Sequence, residues 1–119
     1  MPDRNKVILK KANAAIMEGD HERFLSFCTD DTEWVFIGDK TLRGKDAVRQ
    51  YMTMAYKEPP KFVVANLIEE GDFLTALGDI TMKDEKGEET SYKYCDIWRF
   101  SNGKMAELKA FVIKSGQQA

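Results

Sequence analysis

The second half of the chain consists of four long segments with the composition of β-strands, joined by short turns. The segments are Lys61–Glu70, Phe73–Lys83, Glu89–Ser101 and Lys104 to about Lys114. Their connections, at residues 71–72, 84–87 and 101–103, each contain a glycine. They are too short for the crossover that parallel neighbours require. The pattern therefore predicts an antiparallel meander, around which the rest of the chain must fold.

The first half of the chain carries helical patterns interrupted by one hairpin. Apolar residues at helical spacing predict helices over residues 4–18, 21–27 and 45–56. Residues 32–37 and 40–43 read as a strand and its short partner. We therefore predict an α+β fold in which a strongly curved antiparallel sheet wraps around about three helices. At 119 residues we expect one domain, residues 1–119.

The third segment of the meander places a carboxyl group in a row of aromatic side chains. Alternate residues of a strand share a face. That face carries Tyr92, Tyr94, Asp96, Trp98 and Phe100. Burial among rings disfavours the charged form of a carboxyl group, so we expect a raised pKa for Asp96 unless a partner donates to it. Asp96 is therefore either a functional acid or base, or one half of a structural pair.

Other candidate ligand-binding residues come from three further segments. Trp34 and Phe36 share one face of the first strand, and Tyr51 lies on the apolar stripe of the third helix. Such rings serve pocket walls and plain cores equally well, and the Tyr51 hydroxyl could instead reach the surface. Asp79 is a second acid within an apolar strand. It either shares the face of Asp96, where the two carboxyl groups would titrate together, or is satisfied structurally on the outer face.

Composition and charge exclude several functional classes. A net charge of -2 with both signs mixed gives no basic surface for nucleic acid or anionic lipid. No apolar run is long enough to span a membrane, and the first residues do not form a signal peptide, so we expect a cytoplasmic protein. His21 is the single histidine, and Cys28 and Cys95 lack the spacing of metal ligands. We therefore expect no metal site.

Both faces of the last predicted strand are apolar. Leu108, Ala110 and Val112 lie on one face, with Phe111 and Ile113 on the other. An antiparallel sheet with one solvated face would alternate apolar and polar residues, and the helices can cover only one face. We therefore predict a homodimer that packs through the second face of the sheet.

Five stretches of the chain, in order, together carry a family resemblance. They are EGD at 18–20, FCTDDTEW at 27–34, LRGKDAV at 42–48, YCDIWRF at 94–100 and GKMAELKAF at 103–111. With these stretches the chain resembles the nuclear transport factor 2-like superfamily, specifically its SnoaL-like and ketosteroid isomerase-like branch. The resemblance implies a cone-shaped fold whose curved sheet encloses an apolar pocket, and a dimer formed through the convex side of that sheet.

Ketosteroid isomerases use three acidic or phenolic groups, of which the resemblance supplies one here. Asp96 matches the aspartate that, when protonated, donates a hydrogen bond to the oxyanion. The tyrosine of the first helix falls on Ala12, and the aspartate base falls on Val35 or Phe36. None of these residues ionises, so we do not expect steroid isomerisation by that route.

The resemblance to SnoaL-like cyclases implies chemistry by a single acid/base aspartate in an aromatic pocket, without a cofactor. Asp96 is then the candidate catalytic residue. The candidate ligand-binding residues are Trp34, Phe36, Tyr51, Asp79, Tyr94 and Trp98. Two hypotheses stay open. The chain is a cofactor-independent isomerase, cyclase or lyase acting on an apolar small molecule, or it is a non-catalytic module that binds an apolar ligand or acts as an accessory dimer.

Overall fold

A computed structural model describes residues 4–83 and 86–115 and places three helices and six strands in this part of the chain. The helices are α1 (Arg4–Met17), α2 (His21–Ser26) and α3 (Lys45–Ala55). The strands are β1 (Cys28–Phe36), β2 (Thr41–Arg43), β3 (Lys61–Glu70), β4 (Phe73–Lys83), β5 (Glu89–Ser101) and β6 (Lys104–Lys114). The predicted α+β class is confirmed. The predicted turn at residues 84–87 lies partly outside the described residues.

The six strands form one curled, unclosed sheet in the order β2-β1-β6-β5-β4-β3. The predicted meander is present, with each of β3 to β6 antiparallel to the next. β1 lies parallel to β6, with Trp34 opposite Leu108. This parallel pair was not predicted from the sequence. It is possible because the chain between β1 and β6 is long enough to return to the same end of the sheet.

The helices pack on the concave face of the sheet through small and apolar side chains. On α1, Leu9, Ala12 and Ala15 are fully buried or nearly so, and the two alanines allow close approach of the helix. Asp20 caps α2 by accepting a hydrogen bond from the backbone N–H of Arg23 at 3.0 Å. Within the described residues, no helix combines the length and the apolar character needed to cross a bilayer.

Strands β3, β4 and β5 approach one another closely at Gly78. A Cβ at this position would lie 2.1 Å from the backbone oxygen of Val63 and 2.9 Å from the hydroxyl oxygen of Tyr94. The register of β3 also shifts between Val64 and Asn66, which marks a bulge. A bulge and an interior glycine let a sheet bend, and the Tyr94 ring occupies the space that a side chain at Gly78 would need.

Candidate functional site

The concave face of the sheet and the helices surround a cavity of about 330 Å³. This volume is at the lower end of the range for small-molecule sites. Its walls are mostly aromatic and aliphatic. The ring-bearing residues of the lining are Phe24, Trp34, Phe36, Tyr51, Tyr56, Phe62, Tyr92, Tyr94 and Trp98. The cavity can therefore accept a small cyclic or planar molecule.

Strand β5 supplies one wall of the cavity through its alternate side chains. Tyr92, Tyr94, Asp96 and Trp98 all line the cavity, as the alternation of a strand requires. Phe100, the last aromatic residue of this row, is buried in the core instead. The register of β5 against β6 shifts between Arg99 and Phe100, which separates Phe100 from the earlier residues of this row.

The carboxyl group of Asp96 lies between two small neighbours. Its register partners are Ala76 on β4 and Ala110 on β6, and both line the cavity. Their methyl groups leave the space beside the carboxyl group open. No hydrogen bond or ion pair within residues 4–83 and 86–115 involves the Asp96 side chain. Asp96 is a half-buried residue whose carboxyl group faces the cavity without a partner.

Burial controls the protonation of Asp96. With no donor nearby, desolvation raises the pKa of its carboxyl group from the ordinary value of 3.8 to about 7. Near neutral pH the group is therefore about half protonated. It can accept a proton in one form and donate one in the other.

Two phenol groups respond to the charge on Asp96. Burial, followed by the negative charge of Asp96, raises the pKa of Tyr94 to about 12. Burial is also the largest cause that raises the pKa of Tyr56, with Tyr51 and Asp96 contributing. Both hydroxyl groups stay protonated at neutral pH. Neither donates or accepts a hydrogen bond among the described residues, so both are free to donate to a ligand.

A cluster of rings around Trp34 forms the wall facing these groups. The Trp34 ring meets Phe24, Phe36, Tyr51 and Trp98 at centroid distances between 5.7 and 6.1 Å, in edge-to-face geometry. Such contacts hold aromatic rings in fixed orientations. The Trp34 indole nitrogen is buried and has no hydrogen-bond partner in the described part of the chain.

The structure places Asp79 on the other face of the sheet, which corrects its assignment as a ligand-binding candidate. Asp79 pairs with Lys93 in the register of β4 and β5, whereas Asp96 pairs with Ala76. The odd offset between these pairs directs the two carboxyl groups to opposite faces. Asp79 accepts a hydrogen bond from Lys93 Nζ at 2.7 Å. The structural alternative holds for Asp79, and it cannot couple with Asp96 inside the cavity.

The remaining predicted site residues come together at the cavity. Trp34, Phe36, Tyr51, Tyr94 and Trp98 all line it, together with Asp96. The structure thus brings these side chains to one place, while their roles toward a ligand stay predictions.

Several residues of the lining that carry polar groups were not predicted from the sequence, among them Tyr56 and Asn13. Tyr56 follows α3, and its backbone N–H bonds to the carbonyl of Met52 one turn earlier. The i, i+4 spacing from the buried Met52 would have indicated its face. Asn13 lies on α1 between Leu9 and Ile16, and all three line the cavity. An amide within an apolar helical stripe is the signal that would have identified Asn13.

Comparison with known proteins identifies this architecture. A family model described as a SnoaL-like domain matches residues 9–108. A comparison with curated protein sequences gave no significant match.

Solved structures of low sequence identity share the fold over nearly the whole chain. A nuclear transport factor 2-like protein of unknown function from Burkholderia pseudomallei K96243 is 20% identical, covers 90% of this chain and 88% of its own, and gives a TM-score of 0.79. A putative SnoaL-like polyketide cyclase from Jannaschia sp. CCS1 is 13% identical, with coverages of 93% and 86% and a TM-score of 0.81. TerC, co-crystallised with polyporic acid, is 18% identical, with coverages of 91% and 90% and a TM-score of 0.78. Identities in this range show the common fold alone.

Proposed function

This chain belongs to the SnoaL-like domain family, and on that premise we propose that it is a cofactor-independent isomerase, cyclase or lyase. In this proposal Asp96 moves a proton on an apolar cyclic carbonyl compound held in the cavity. One observation carries the proposal: a buried, unpartnered carboxyl group lines the cavity with a pKa raised by burial to about 7. Carboxyl groups with a pKa near the working pH are effective general acids and bases.

The proton balance of the proposed reaction needs no second reagent. The Asp96 carboxylate removes a proton from a carbon next to the substrate carbonyl group and leaves an enolate. In an isomerase the protonated Asp96 returns the proton to another carbon. In a cyclase the enolate carbon first bonds to a second carbonyl carbon of the substrate, and the resulting alkoxide takes the proton. Either way Asp96 ends as the carboxylate with which it began.

The walls of the cavity suit both the binding and the charge development of this reaction. A planar substrate would pack against Trp34 and Trp98, in the space left open by Ala76 beside Asp96. The Tyr56 hydroxyl and the Asn13 amide could donate hydrogen bonds to the oxygen on which negative charge develops. Water displaced from an apolar cavity would strengthen these contacts.

Two of the structural relatives support this substrate class. One is described as a putative polyketide cyclase and the other was co-crystallised with polyporic acid. Both have the fold of this chain, and the aromatic cavity described above can accept a planar ring system.

Binding without catalysis is the alternative, and one observation favours it. Among the described residues of the lining, only Asp39 carries a carboxyl group besides Asp96, and Asp39 is exposed in the turn between β1 and β2. Within the described lining, no second carboxyl group therefore accompanies Asp96 in the interior of the cavity. A protein that merely holds an apolar ligand would need nothing more.

We also propose that the protein acts as a homodimer through the convex face of its sheet. Val63, Ile68, Phe73, Phe111 and Ile113 point away from the cavity and are 40–70% exposed. Monomeric proteins rarely leave so many apolar side chains exposed on one face. A second copy is the simplest partner for such a face.

Proton exchange tests the catalytic proposal. Bicyclic aromatic ketones such as tetralones, dissolved in deuterated water with the protein, report removal of the proton next to the carbonyl group by NMR. We expect exchange above the buffer rate, and Asp96→Asn should lower it by about a hundredfold or more. Asp79→Asn, which removes a carboxyl group from the outer face, is the matched control. Ketones that bind without any enzyme-dependent exchange would support the binding alternative.

A further inference from the structure

A second cleft adjoins the cavity at its rim. Its lining comes from Lys40 before β2, from the end of α3 and from the facing parts of β4 and β5. Tyr51, Met82 and Tyr92 line both the cleft and the cavity. A molecule longer than the cavity would therefore extend into this cleft.

The described lining of the cleft carries excess positive charge. Its described lining contains Lys40, Lys57 and Lys83 but a single acid, Glu58. Lys83 Nζ donates to Glu58 Oε1 at 3.0 Å, so these two charges are matched. Lys40 and Lys57 form no ion pair with any residue in the described ranges. Two unmatched ammonium groups thus face one cleft in a chain whose net charge is -2.

The Lys40 ammonium is positioned where the cleft meets the cavity. Its Nζ lies 5.3 Å from the centroid of the Tyr51 ring, in cation–π geometry. The Tyr51 ring is in turn fixed by Phe36 at a centroid distance of 5.1 Å and by Trp34 at 6.1 Å. Because Tyr51 lines both spaces, the charge of Lys40 is held at their junction.

The inner end of the cavity has the opposite preference. Asp96 lines the cavity but not the cleft. Asp39 also lines the cavity, but it is exposed in the turn next to Lys40 and so lies at the rim, not at the inner end. A negative group on a ligand would be repelled from Asp96 and attracted to the lysines. Charge therefore distinguishes the two ends of the bound molecule.

We propose that the ligand is an anionic aromatic compound whose negative group is bound by Lys40 and Lys57 in the cleft, while its uncharged ring system enters the cavity. A carboxylate, a sulfonate or an ionised enol would serve as the negative group. This inference rests on the proposed function, because it places the neutral carbonyl end of such a compound beside Asp96. It adds the class of the substrate and its direction of entry.

Two fluorescent dyes that differ by one charge test the inference. Anilinonaphthalene sulfonate is an anion with an aromatic body, and phenylnaphthylamine is its uncharged analogue. We expect the wild-type protein to bind the sulfonate more tightly. Lys40→Gln and Lys57→Gln should each weaken sulfonate binding by about two- to fivefold, the range of an exposed charge interaction, and leave the uncharged dye unaffected. Lys11→Gln, which removes an exposed lysine of α1, is the matched control.

Failure of this inference can be distinguished from failure of the proposed function. Ala110→Phe narrows the cavity without changing the convex face, so dye that still binds this variant is counted as bound elsewhere and subtracted. If Lys40→Gln and Lys57→Gln weaken the binding of both dyes equally, the anion site is overturned and cavity binding is left intact. The same holds if Lys11→Gln weakens sulfonate binding as much as they do. If neither dye binds the wild-type cavity, the proposed function and this inference both fail.

Discussion

Asp96 on β5 and Ala76 on β4 are direct register partners, and the small alanine leaves the buried carboxyl group open to the cavity. Nothing within the described residues donates to that carboxyl group. The protein therefore bears the cost of burying an acid without a structural pair to offset it. Such an arrangement is typical of a carboxyl group that acts on a ligand.

The first prediction concerns stability against pH. The pKa of Asp96 is raised in the folded state from 3.8 to about 7, so the folded protein binds more protons than the unfolded chain between these values. The free-energy cost of burying the Asp96 carboxyl group is smallest at low pH, where the group is protonated. The free energy of unfolding therefore falls as the pH rises towards 7. Once Asp96 is fully ionised, a pKa shift of this size lowers the free energy of unfolding by up to about 4 kcal/mol.

Asp96→Asn should remove this cost. In urea unfolding, the variant is expected to be more stable than the wild type at about pH 8, with the difference shrinking at about pH 5. Asp79→Asn, which breaks an exposed ion pair, should change stability by about 1 kcal/mol or less at both pH values. A variant Asp96→Asn that is less stable than the wild type at the higher pH would mean that Asp96 has a structural partner.

Gly78→Ala should destabilise the protein. The added Cβ would lie 2.1 Å from the Val63 backbone oxygen, and backbone atoms cannot move aside as a flexible side chain does. Overpacking of this kind costs about 1–3 kcal/mol. Thermal unfolding measures the loss. An unchanged melting temperature would show that the close contact at this position does not require a glycine.

The fold followed from sequence patterns because its main signals are local. Alternating residues and short glycine turns determine the bounds of β3 to β6, which were predicted as observed. The β1–β6 pair joins residues far apart in the chain, such as Trp34 and Leu108, and no local pattern reports such a contact.

The part of the site that lies on β5 was predicted from the alternation of side chains along a strand. The inward direction of Tyr94, Asp96 and Trp98 followed from the face that they share. The face of Asp79 depended on the register between β4 and β5, which a single sequence does not specify. Tyr56 was missed although the predicted helix reached it, because its i, i+4 spacing from the buried Met52 was not used to assign its face.

Dimer formation can be tested on the convex face of the sheet. We expect light scattering at micromolar concentration to give a dimer, and the paired change Phe111→Glu and Ile113→Glu to give a folded monomer, because charges in an apolar interface resist desolvation. Val7→Glu places a charge on a helical residue that is also exposed, at 47%, and should leave the dimer intact. A monomeric wild type would contradict the proposed interface.

Tyr56→Phe tests the proposed donor to the substrate oxygen. The change keeps the ring, which packs on Tyr51 at a centroid distance of 5.8 Å, and removes only the hydroxyl group. We expect proton exchange on a bound ketone to slow by about tenfold or more, while ketone affinity changes little. Tyr51→Phe should have the smaller effect, because burial, followed by the charges of Asp39 and Tyr92, raises the pKa of Tyr51, and Asp96 does not contribute. Equal effects of the two changes would argue against a specific role for Tyr56.

The central claim is that the Asp96 carboxyl group faces the cavity, buried and without a partner, and it can be measured directly. Carbon-13 NMR of the aspartate side-chain carboxyl carbons, recorded across pH and assigned to Asp96 by comparison with Asp96→Asn, gives the pKa of this one group. Our account predicts a titration midpoint near 7, the value to which burial raises it. A midpoint at the ordinary value of 3.8 or below would mean that Asp96 is solvated or paired, and would contradict both the site and the proposed chemistry.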